Sequence, residues 1–372
     1  MKYPRPKYGD PGVATEKVTA MFSSAQSVVP IFDTPITPLE NFKRAAARTD
    51  PLWVPCSSTD FQSLLTHDVA GTTIRGMQLH SDLKRPATED YQFKDWFGTE
   101  WTFVCSAGGA MLTPGTQLLS DITNWEKEVI WPDFSEWRFE EKAEEYMRDK
   151  YNPNKVMHYD IGRGCTERIV SLLGGYTESM IALAVEPEAV SEFFDAYSDF
   201  LISHFDKINS LYPLNLVTLH DDWGTERDTF FSEKMMEELV FEPTKKVVDH
   251  IKSKGVTFEL HACGNVTRFI PYSIEMGAEL LQLQRRAVDL PEMKKKYGDK
   301  IGFCAPIEGF DFTADYSQDE IIKLIRNSVD IYAPGGGCYT SAMFRDPEKQ
   351  WTALSELHYY SRELYDAEQS RA

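Results

Sequence analysis

Two residues with metal-binding side chains, His261 and Cys263, stand two positions apart in the stretch HACGN. Alternate residues of an extended segment point to the same side, so both side chains can reach one ion. Zinc accepts imidazole and thiolate, and catalytic zinc sites use three protein ligands with one position open. A buried structural pair is the alternative for this motif, but its place at a predicted strand end favours ligands. Cys338, 75 positions after Cys263 (338 − 263), is the third candidate, and together the three predict a zinc site.

Further polar residues lie at the ends of the neighbouring predicted strands. Asp221 and Asp222 form an adjacent carboxylate pair, which indicates acid/base catalysis or substrate orientation. A helix-capping aspartate with a solvated neighbour is the alternative interpretation. Trp223 comes directly after them and is assigned to the substrate site. Gln282 and Gln284 are also assigned to the substrate, although they could equally hydrogen-bond to loop backbone.

From about residue 155, short apolar stretches alternate with amphipathic ones. This rhythm predicts strands alternating with helices, and therefore a parallel sheet. The number of units favours a closed (β/α)8 TIM barrel, in which function lies at the carboxyl ends of the strands. No G-x-G-x-x-G or P-loop motif follows a strand, which excludes the usual nucleotide-binding open sheets. The predicted strands are 156–161, 216–220, 256–261, 279–283, 301–305 and 338–340, and the predicted helices are 166–173, 187–211, 232–254, 266–276, 290–297, 317–328 and 347–367.

The chain is predicted to form one large domain with additions. Residues 1–35 are expected to be an arm that wraps the main body, and residues 36–372 a single barrel. A helix is predicted from Thr37 to about residue 48, since Thr37 can cap it and Pro38 suits its first position. An aromatic-rich insertion at about 57–150 is expected to shape the substrate pocket. Shorter predictions are strands at 52–56 and 101–105 and a turn at 108–115.

Composition limits the function classes. The net charge of −19 argues against nucleic acid and against an anionic membrane surface, because both require basic contacts. No apolar run approaches the roughly 18–20 residues of a membrane span. We therefore expect a cytoplasmic protein, in which disulfides are uncommon. The remaining cysteines, expected to be core residues, are Cys56, Cys105, Cys165 and Cys304.

These motifs resemble the uroporphyrinogen decarboxylase superfamily, and within it the zinc- and corrinoid-dependent methyltransferases. Residues 37–42 and 51–55 look like the opening helix and first strand of that superfamily, and 220–224 (HDDWG) look like its central acidic strand end. The HACGN stretch with Cys338 looks like the zinc ligands of the methyltransferase branch. The decarboxylase branch carries an arginine-rich segment after the first strand, and residues 55–60 (PCSSTD) hold no arginine.

The resemblance implies a (β/α)8 barrel, a zinc ion, and a separate corrinoid protein as methyl acceptor. Residues 95–115 and 125–134 look like the group that acts on aromatic methyl ethers, the first components of anaerobic O-demethylases. The expected reaction moves a methyl group from a methoxyarene to the cob(I)alamin of the partner protein. Glu308 is a weak candidate for a fourth zinc ligand.

Three other functions stay open at this point. A methylcobamide:thiol methyltransferase would use the same zinc to bind a thiolate. A uroporphyrinogen decarboxylase-like lyase would need no metal, which would leave the His and Cys residues unexplained. A non-enzymatic adaptor barrel would bind a partner without turnover.

Overall fold

The computed structural model describes residues 2–19, 26–64, 89–106, 109–136, 138–311 and 313–371. The insertion predicted at 57–150 therefore lies partly outside the described residues, at 65–88, 107–108 and 137. The strands are β1 Thr15–Thr19, β2 Gln26–Pro30, β3 Phe61–Ser63, β4 Tyr91–Lys94, β5 Glu100–Val104, β6 Gly109–Leu112, β7 Val156–Ile161, β8 Leu216–His220, β9 Thr257–Ala262, β10 Leu280–Leu283, β11 Gly302–Ala305 and β12 Cys338–Thr340. The α-helices are α1 Pro38–Ala47, α2 Ser57–Asp60, α3 Trp125–Glu128, α4 Phe139–Asp149, α5 Cys165–Leu173, α6 Tyr176–Val185, α7 Pro187–Leu211, α8 Glu233–Met235, α9 Phe241–Ser253, α10 Ile270–Met276, α11 Leu290–Tyr297, α12 Gln318–Tyr332 and α13 Pro347–Gln369.

Seven parallel strands form the central sheet, in the order β12-β11-β10-β9-β8-β7-β3. Every residue of β8 is buried, as expected for a strand covered on both faces. The helices that follow the strands pack on the outside, and the longest of them is α7. The predicted alternation of strands and helices from residue 155 onward is confirmed, and the bounds predicted for β7, β8, β12, α7 and α11 match those of the structure.

The sheet curls into a half-barrel rather than the closed eight-stranded barrel that the sequence predicts. Its edge strands approach each other, with the rings of Phe61 and Tyr339 5.1 Å apart. The segment predicted as a strand at 52–56 makes one isolated bridge, from Cys56 to Thr340, and no ladder closes the sheet within the described residues. The Thr340 amide donates to the carbonyl of Pro55 (2.9 Å), but a proline has no N–H to continue the pairing.

Helix α1 covers the amino-terminal end of the curled sheet. Thr37 caps it by accepting from the amide of Glu40 (3.1 Å), as the sequence predicts. Phe42 of this helix packs in a buried cluster with apolar residues from the first positions of several strands. The cluster consists of Phe42, Ala46, Phe61, Val156, Leu216, Leu280 and Tyr339. This end of the sheet is therefore closed by apolar packing, and the polar candidates lie at the other end.

Two helical regions differ from the sequence prediction. The helix predicted at 232–254 begins at the Ser232 cap but contains a π-helical segment, Met236–Val240, between α8 and α9. Helix α6 was not predicted, because it is apolar on most sides and shows little periodicity.

Among the described residues, no single helix is long and apolar enough to cross a membrane. Helices α5 and α6 pass that test only as a pair, and they are bent by 112°.

A three-stranded antiparallel sheet, β4-β5-β6, stands apart from the central sheet. The turn predicted at 108–115 is wrong in its first half, which forms β6 paired with β5. Asp95 anchors this small sheet, since its carboxylate receives the guanidinium of Arg168 on α5 at 2.7 Å. The same carboxylate accepts the indole N–H of Trp101 (3.2 Å). Asp95 and Arg168 are both fully buried.

In the amino-terminal arm, β1 pairs antiparallel with β2, and the first residues contact the last helix. The amide of Lys2 donates to Glu363 of α13 (2.7 Å), and Arg5 forms ion pairs with Glu356 and Glu363 at 3.1 and 2.8 Å. These carboxylates hold the first residues of the chain against its carboxyl-terminal helix.

We predict that Asp95→Asn destabilises the protein by about 3–5 kcal/mol, because it leaves the charge of Arg168 buried without its partner. The free energy of unfolding from denaturant titration measures this effect. Asp149→Asn is the matched control, since it removes an exposed carboxylate paired with Arg148 and should cause no measurable loss. Equal stability of the two variants would show that the small sheet does not depend on the buried ion pair.

Candidate functional site

The register of three neighbouring strands brings the polar candidates together. His261 of β9 pairs with His220 of β8 on one side and with Gln282 of β10 on the other. The Asp221 amide donates to the carbonyl of His261 (3.0 Å), so the two strands stay paired beyond the end of β8. Because all these strands run in parallel, their carboxyl ends meet at one edge of the sheet.

Asp222, His261 and Cys263 form a group whose ligand atoms all lie within 4.8 Å of one another. His261 Nε2 is 3.4 Å from Cys263 Sγ and 3.5 Å from Asp222 Oδ1. Two ligands of one tetrahedral zinc ion are separated by about 3.4–3.6 Å, given the usual bond lengths. The backbone amide of Cys263 also donates to Asp222 Oδ1 (2.8 Å). The three side chains therefore have the chemistry and the spacing of a zinc site.

The structure does not bring Cys338 to this group. Cys338 pairs with Phe303 near the start of the short strand β12, and its side chain lies between Lys294 of α11 and Tyr365 of α13. It is 2% exposed, and burial raises the pKa of its thiol to about 11. The next residue, Tyr339, points into the curled sheet, so Cys338 points out toward the helices. Asp222 stands with His261 and Cys263 where the sequence predicts Cys338.

The two glutamines have different partners. Gln282 Oε1 lies 2.7 Å from His261 Nδ1 and so fixes the orientation of the imidazole ring. Gln284 Oε1 accepts the amide of Gly264 (2.9 Å), one residue after Cys263. Gln284 thus holds the loop backbone, the alternative that the sequence left open, while Gln282 supports a candidate ligand. Such hydrogen bonds behind a metal ligand set its orientation and basicity.

Asp221 is buried and accepts hydrogen bonds from the beginning of α5. Its Oδ1 accepts from the Thr166 hydroxyl (2.5 Å) and the Glu167 amide (2.9 Å). Its Oδ2 accepts the indole N–H of Trp223 (2.9 Å), which is itself fully buried. Burial raises the pKa of Asp221 to about 6, although these donors oppose the rise. A Cβ on Gly164 would lie 2.4 Å from this carboxyl group, so glycine is required there. Asp221 and Trp223 therefore join β8 to α5, and their predicted roles in catalysis and substrate binding stay predictions.

Sequence reasoning missed a buried polar network inside the sheet. His220 Nε2 lies 2.9 Å from Asp160 Oδ1, and the His220 ring is 4.4 Å from the ring of His261. Burial opposes ionisation of Asp160, but the neighbouring imidazoles bring its pKa below the ordinary value. Burial raises the pKa of Glu259 to about 7. A signal was present in the sequence, since polar residues stand two apart on three successive strands. These residues are His158 and Asp160, Thr218 and His220, and Glu259 and His261.

A cavity of about 530 Å³ lies beside this edge of the sheet, beyond β10 and β11. Arg285, Glu308 and Asp311 are among its lining residues. Glu308, the weak candidate for a fourth ligand, accepts a hydrogen bond from the Tyr332 hydroxyl and is outside the group of three. The Arg285 guanidinium donates to the carbonyl of Ile307 (3.1 Å). Charges of both signs face this cavity, so its lining indicates no single ligand class.

Comparison with known proteins supports a superfamily. Residues 169–337 match the family model for uroporphyrinogen decarboxylase (URO-D). The fold is similar to a methyltransferase from Methanosarcina mazei, with a TM-score of 0.60 and 14% identity over 87% of this chain and 98% of that one. The fold was also compared with an endo-1,4-beta-xylanase from Caldicellulosiruptor owensensis, with a TM-score of 0.28 and 11% identity over 59% of this chain and 75% of that one. This likeness is too low to indicate a shared fold. No curated protein sequence matches. The predicted uroporphyrinogen decarboxylase superfamily is thus supported, and its methyltransferase branch stays a prediction.

We predict that Gly264→Ala destabilises the loop that carries Cys263. Gly264 has φ +87°, and a Cβ there would lie 2.1 Å from the carbonyl carbon of Gly224. The matched control is Gly255→Ala, since Gly255 has φ +75° but no atom within 4 Å of the added Cβ. The control should lose about 1–2 kcal/mol from backbone strain, and Gly264→Ala about 1–3 kcal/mol more from the clash. Equal free energies of unfolding would mean that the loop can move away from Gly224 without cost.

Proposed function

We propose that the protein is a zinc-dependent methyltransferase that moves a methyl group from an aromatic methyl ether to the corrinoid of a partner protein. The observation that carries the proposal is the group of Asp222, His261 and Cys263 at the carboxyl edge of a URO-D-like curled sheet. The fold likeness to a methyltransferase supports the reaction class. The methyl ether, the corrinoid and its protein come from the sequence resemblance to O-demethylase components.

Asp222, His261 and Cys263 would hold the zinc ion in this proposal. When bound, zinc supplies a Lewis acid that stabilises negative charge on an oxygen or sulfur atom. The side chains of His261 and Asp222 are 18% and 14% exposed, so the group is accessible from the edge of the sheet. An accessible site suits a reaction in which a second protein must bring its corrinoid to the methyl group.

The rest of the site serves to position these ligands. Gln282 orients His261, and Gln284 holds the loop after Cys263. Asp221 keeps its neighbour Asp222 in place, because its own carboxyl group is tied to α5 and Trp223. We therefore assign positioning rather than proton transfer to Asp221, and leave Asp222 to contact the metal.

The small antiparallel sheet is rich in aromatic side chains and contacts the segment that follows β7. Arg163 lies two residues after the end of β7, and its guanidinium is 3.8 Å from the ring centre of Trp101 on β5. Both side chains are buried, and Arg163 is also paired with Glu167 of α5 at 2.8 Å, so this contact fixes the small sheet against α5, and the aromatic substrate rests on the sequence resemblance alone. In the proposed transfer, the methyl carbon would exchange its bond to the ether oxygen for a bond to the acceptor cobalt(I), which supplies the electron pair, and the phenolate that leaves would take up a proton from water. A site that stabilises this oxygen would assist the reaction.

A zinc analysis of single variants tests the ligands. We expect about one zinc per chain in the wild-type protein and loss of zinc in Asp222→Ala, His261→Ala and Cys263→Ala. Cys338→Ala is the matched control and should retain its zinc, since Cys338 lies behind the sheet. Zinc retained by all four variants would eliminate the site. Zinc lost from Cys338→Ala but kept by Asp222→Ala would restore the ligands predicted from the sequence.

Methyl transfer from a methoxybenzene to cob(I)alamin, followed by the change in corrinoid absorbance, tests the reaction. We expect activity in the wild-type protein and a loss of at least about 10²-fold in His261→Ala, the order found when a group that stabilises a developing oxyanion is removed. Cys338→Ala should stay active. Activity with a thiol as methyl acceptor, and none with methoxyarenes, would replace the proposal with a thiol methyltransferase. Carbon dioxide release from a porphyrinogen without zinc would replace it with a lyase.

A further inference from the structure

Buried hydrogen bonds from three strands converge on Glu259, a β9 side chain that is fully shielded from solvent. Its Oε1 accepts from the hydroxyl of Thr218 on β8 (2.8 Å) and from the hydroxyl of Tyr339 on β12 (2.9 Å). The side-chain amide of Gln282 on β10 lies at 3.5 Å from the same oxygen. Its Oε2 has no hydrogen-bond partner among the described residues. All three donors are thus directed at the Oε1 atom of Glu259.

The direction of the hydrogen bonds on the β7 side follows from this acceptor. Thr218 has a single hydroxyl proton, which it donates to Glu259, so toward His158 Nε2 (2.8 Å) it can only accept. Burial lowers the pKa of His158, and the neutral ring carries one N–H. That N–H is at Nε2, and Nδ1 accepts from the hydroxyl of Ser63 (3.2 Å). Each donor along this path points toward Glu259.

The direction of the hydrogen bonds on the β10 side can be assigned in the same way, and these bonds lead to the candidate metal site. A glutamine amide has donors at one end and an acceptor at the other. With its nitrogen toward Glu259, Gln282 presents Oε1 to His261, which must then donate from Nδ1 (2.7 Å). A neutral imidazole with its proton on Nδ1 has a lone pair on Nε2. This is the atom that faces Asp222 and Cys263.

We propose that Glu259 is a positioning residue that fixes the amide of Gln282 and, through it, holds His261 in the tautomer protonated at Nδ1. The argument does not require Glu259 to be ionised, because a proton on Oε2 leaves Oε1 an acceptor, and a proton on Oε1 would go to one of the two hydroxyls and leave that oxygen able to accept from Gln282. Glu259 itself does not contact the metal. The consequence for zinc binding rests on the proposed function, whereas the tautomer is a property of the protein alone.

The tautomer can be measured in the metal-free protein. Nitrogen-15 NMR of labelled histidine at pH 8, above the ordinary histidine pKa of about 6.5, distinguishes a protonated ring nitrogen from an unprotonated one. The His261 signals are those that disappear in His261→Asn. We expect Nδ1–H in the wild-type protein. A proton on Nε2 would overturn the inference without any variant of Glu259.

Two substitutions then distinguish the effect of the hydrogen-bond acceptor of Glu259 from the effect of its negative charge. Glu259→Gln keeps an accepting oxygen where the three donors converge, and its amide takes the place of Oε2, so the Nδ1–H tautomer should persist. Glu259→Met is close in size but accepts no comparable hydrogen bond, and both tautomers of His261 should then appear. If Glu259→Met does not fold, Gln282→Met interrupts the same path one residue later and should give the same mixture. An unchanged tautomer in a folded methionine variant would contradict the inference.

Zinc affinity gives a second readout. In competition with a chelator, Glu259→Met should bind zinc about 10–100-fold more weakly, the usual effect of removing a partner behind a ligand. Glu259→Gln should stay within about threefold of the wild-type protein, since this partner is preserved. Equal affinity of the wild-type and methionine proteins would overturn the inference. If the wild-type protein binds no zinc, the proposed function fails, and the tautomer measurement still decides the role of Glu259.

Discussion

The structure depends on a polar interior that must satisfy its own hydrogen bonds. Strands β7, β8 and β9 are covered by helices on the outside, yet they direct histidines, a threonine and two carboxylates inward. Buried polar groups cost stability unless they find partners, and here the partners come from neighbouring strands. Asp160 with His220, and Glu259 with Thr218 and Tyr339, tie strands that are far apart in sequence. The register of the sheet is therefore fixed by specific pairs as well as by apolar packing.

The same constraint places the candidate ligands. A shift of one residue between β8 and β9 would turn Glu259 and His261 away from their partners and leave charges buried alone. With the register fixed, the residues just beyond the two strands arrive side by side, and Asp222 reaches both the ring of His261 and the amide of Cys263. Asp221 points the other way and secures α5, so adjacent carboxylates carry out different tasks.

Much of the fold could be predicted from sequence, because strands buried on both faces are short apolar runs and several helices begin at a proline or a capping residue. This is why the bounds of Leu216–His220 and Pro187–Leu211 were predicted correctly. The geometry of the site was harder, since strand position alone does not give the direction of a side chain. Cys338 is the first residue of β12, away from the carboxyl edge, and its side chain lies on the outer side of the sheet, as the inward direction of the neighbouring Tyr339 shows. The predicted closed barrel is not formed for a local reason, because Pro55 has no N–H with which to extend the pairing with β12.

The third candidate ligand is Asp222 rather than the predicted Cys338, and this difference has a chemical consequence. A neutral His261, one thiolate and one carboxylate carry the same total charge of −2 as a histidine with two thiolates, so a divalent ion would be balanced equally in either site. The carboxylate is a harder ligand, and it donates less electron density to zinc than a second sulfur atom. A zinc ion with one sulfur ligand is therefore the stronger Lewis acid toward oxygen. In the proposed zinc site, this ligand set would favour stabilisation of a leaving phenolate over activation of a thiolate, which is the reason to propose a methyl ether rather than a thiol as the substrate.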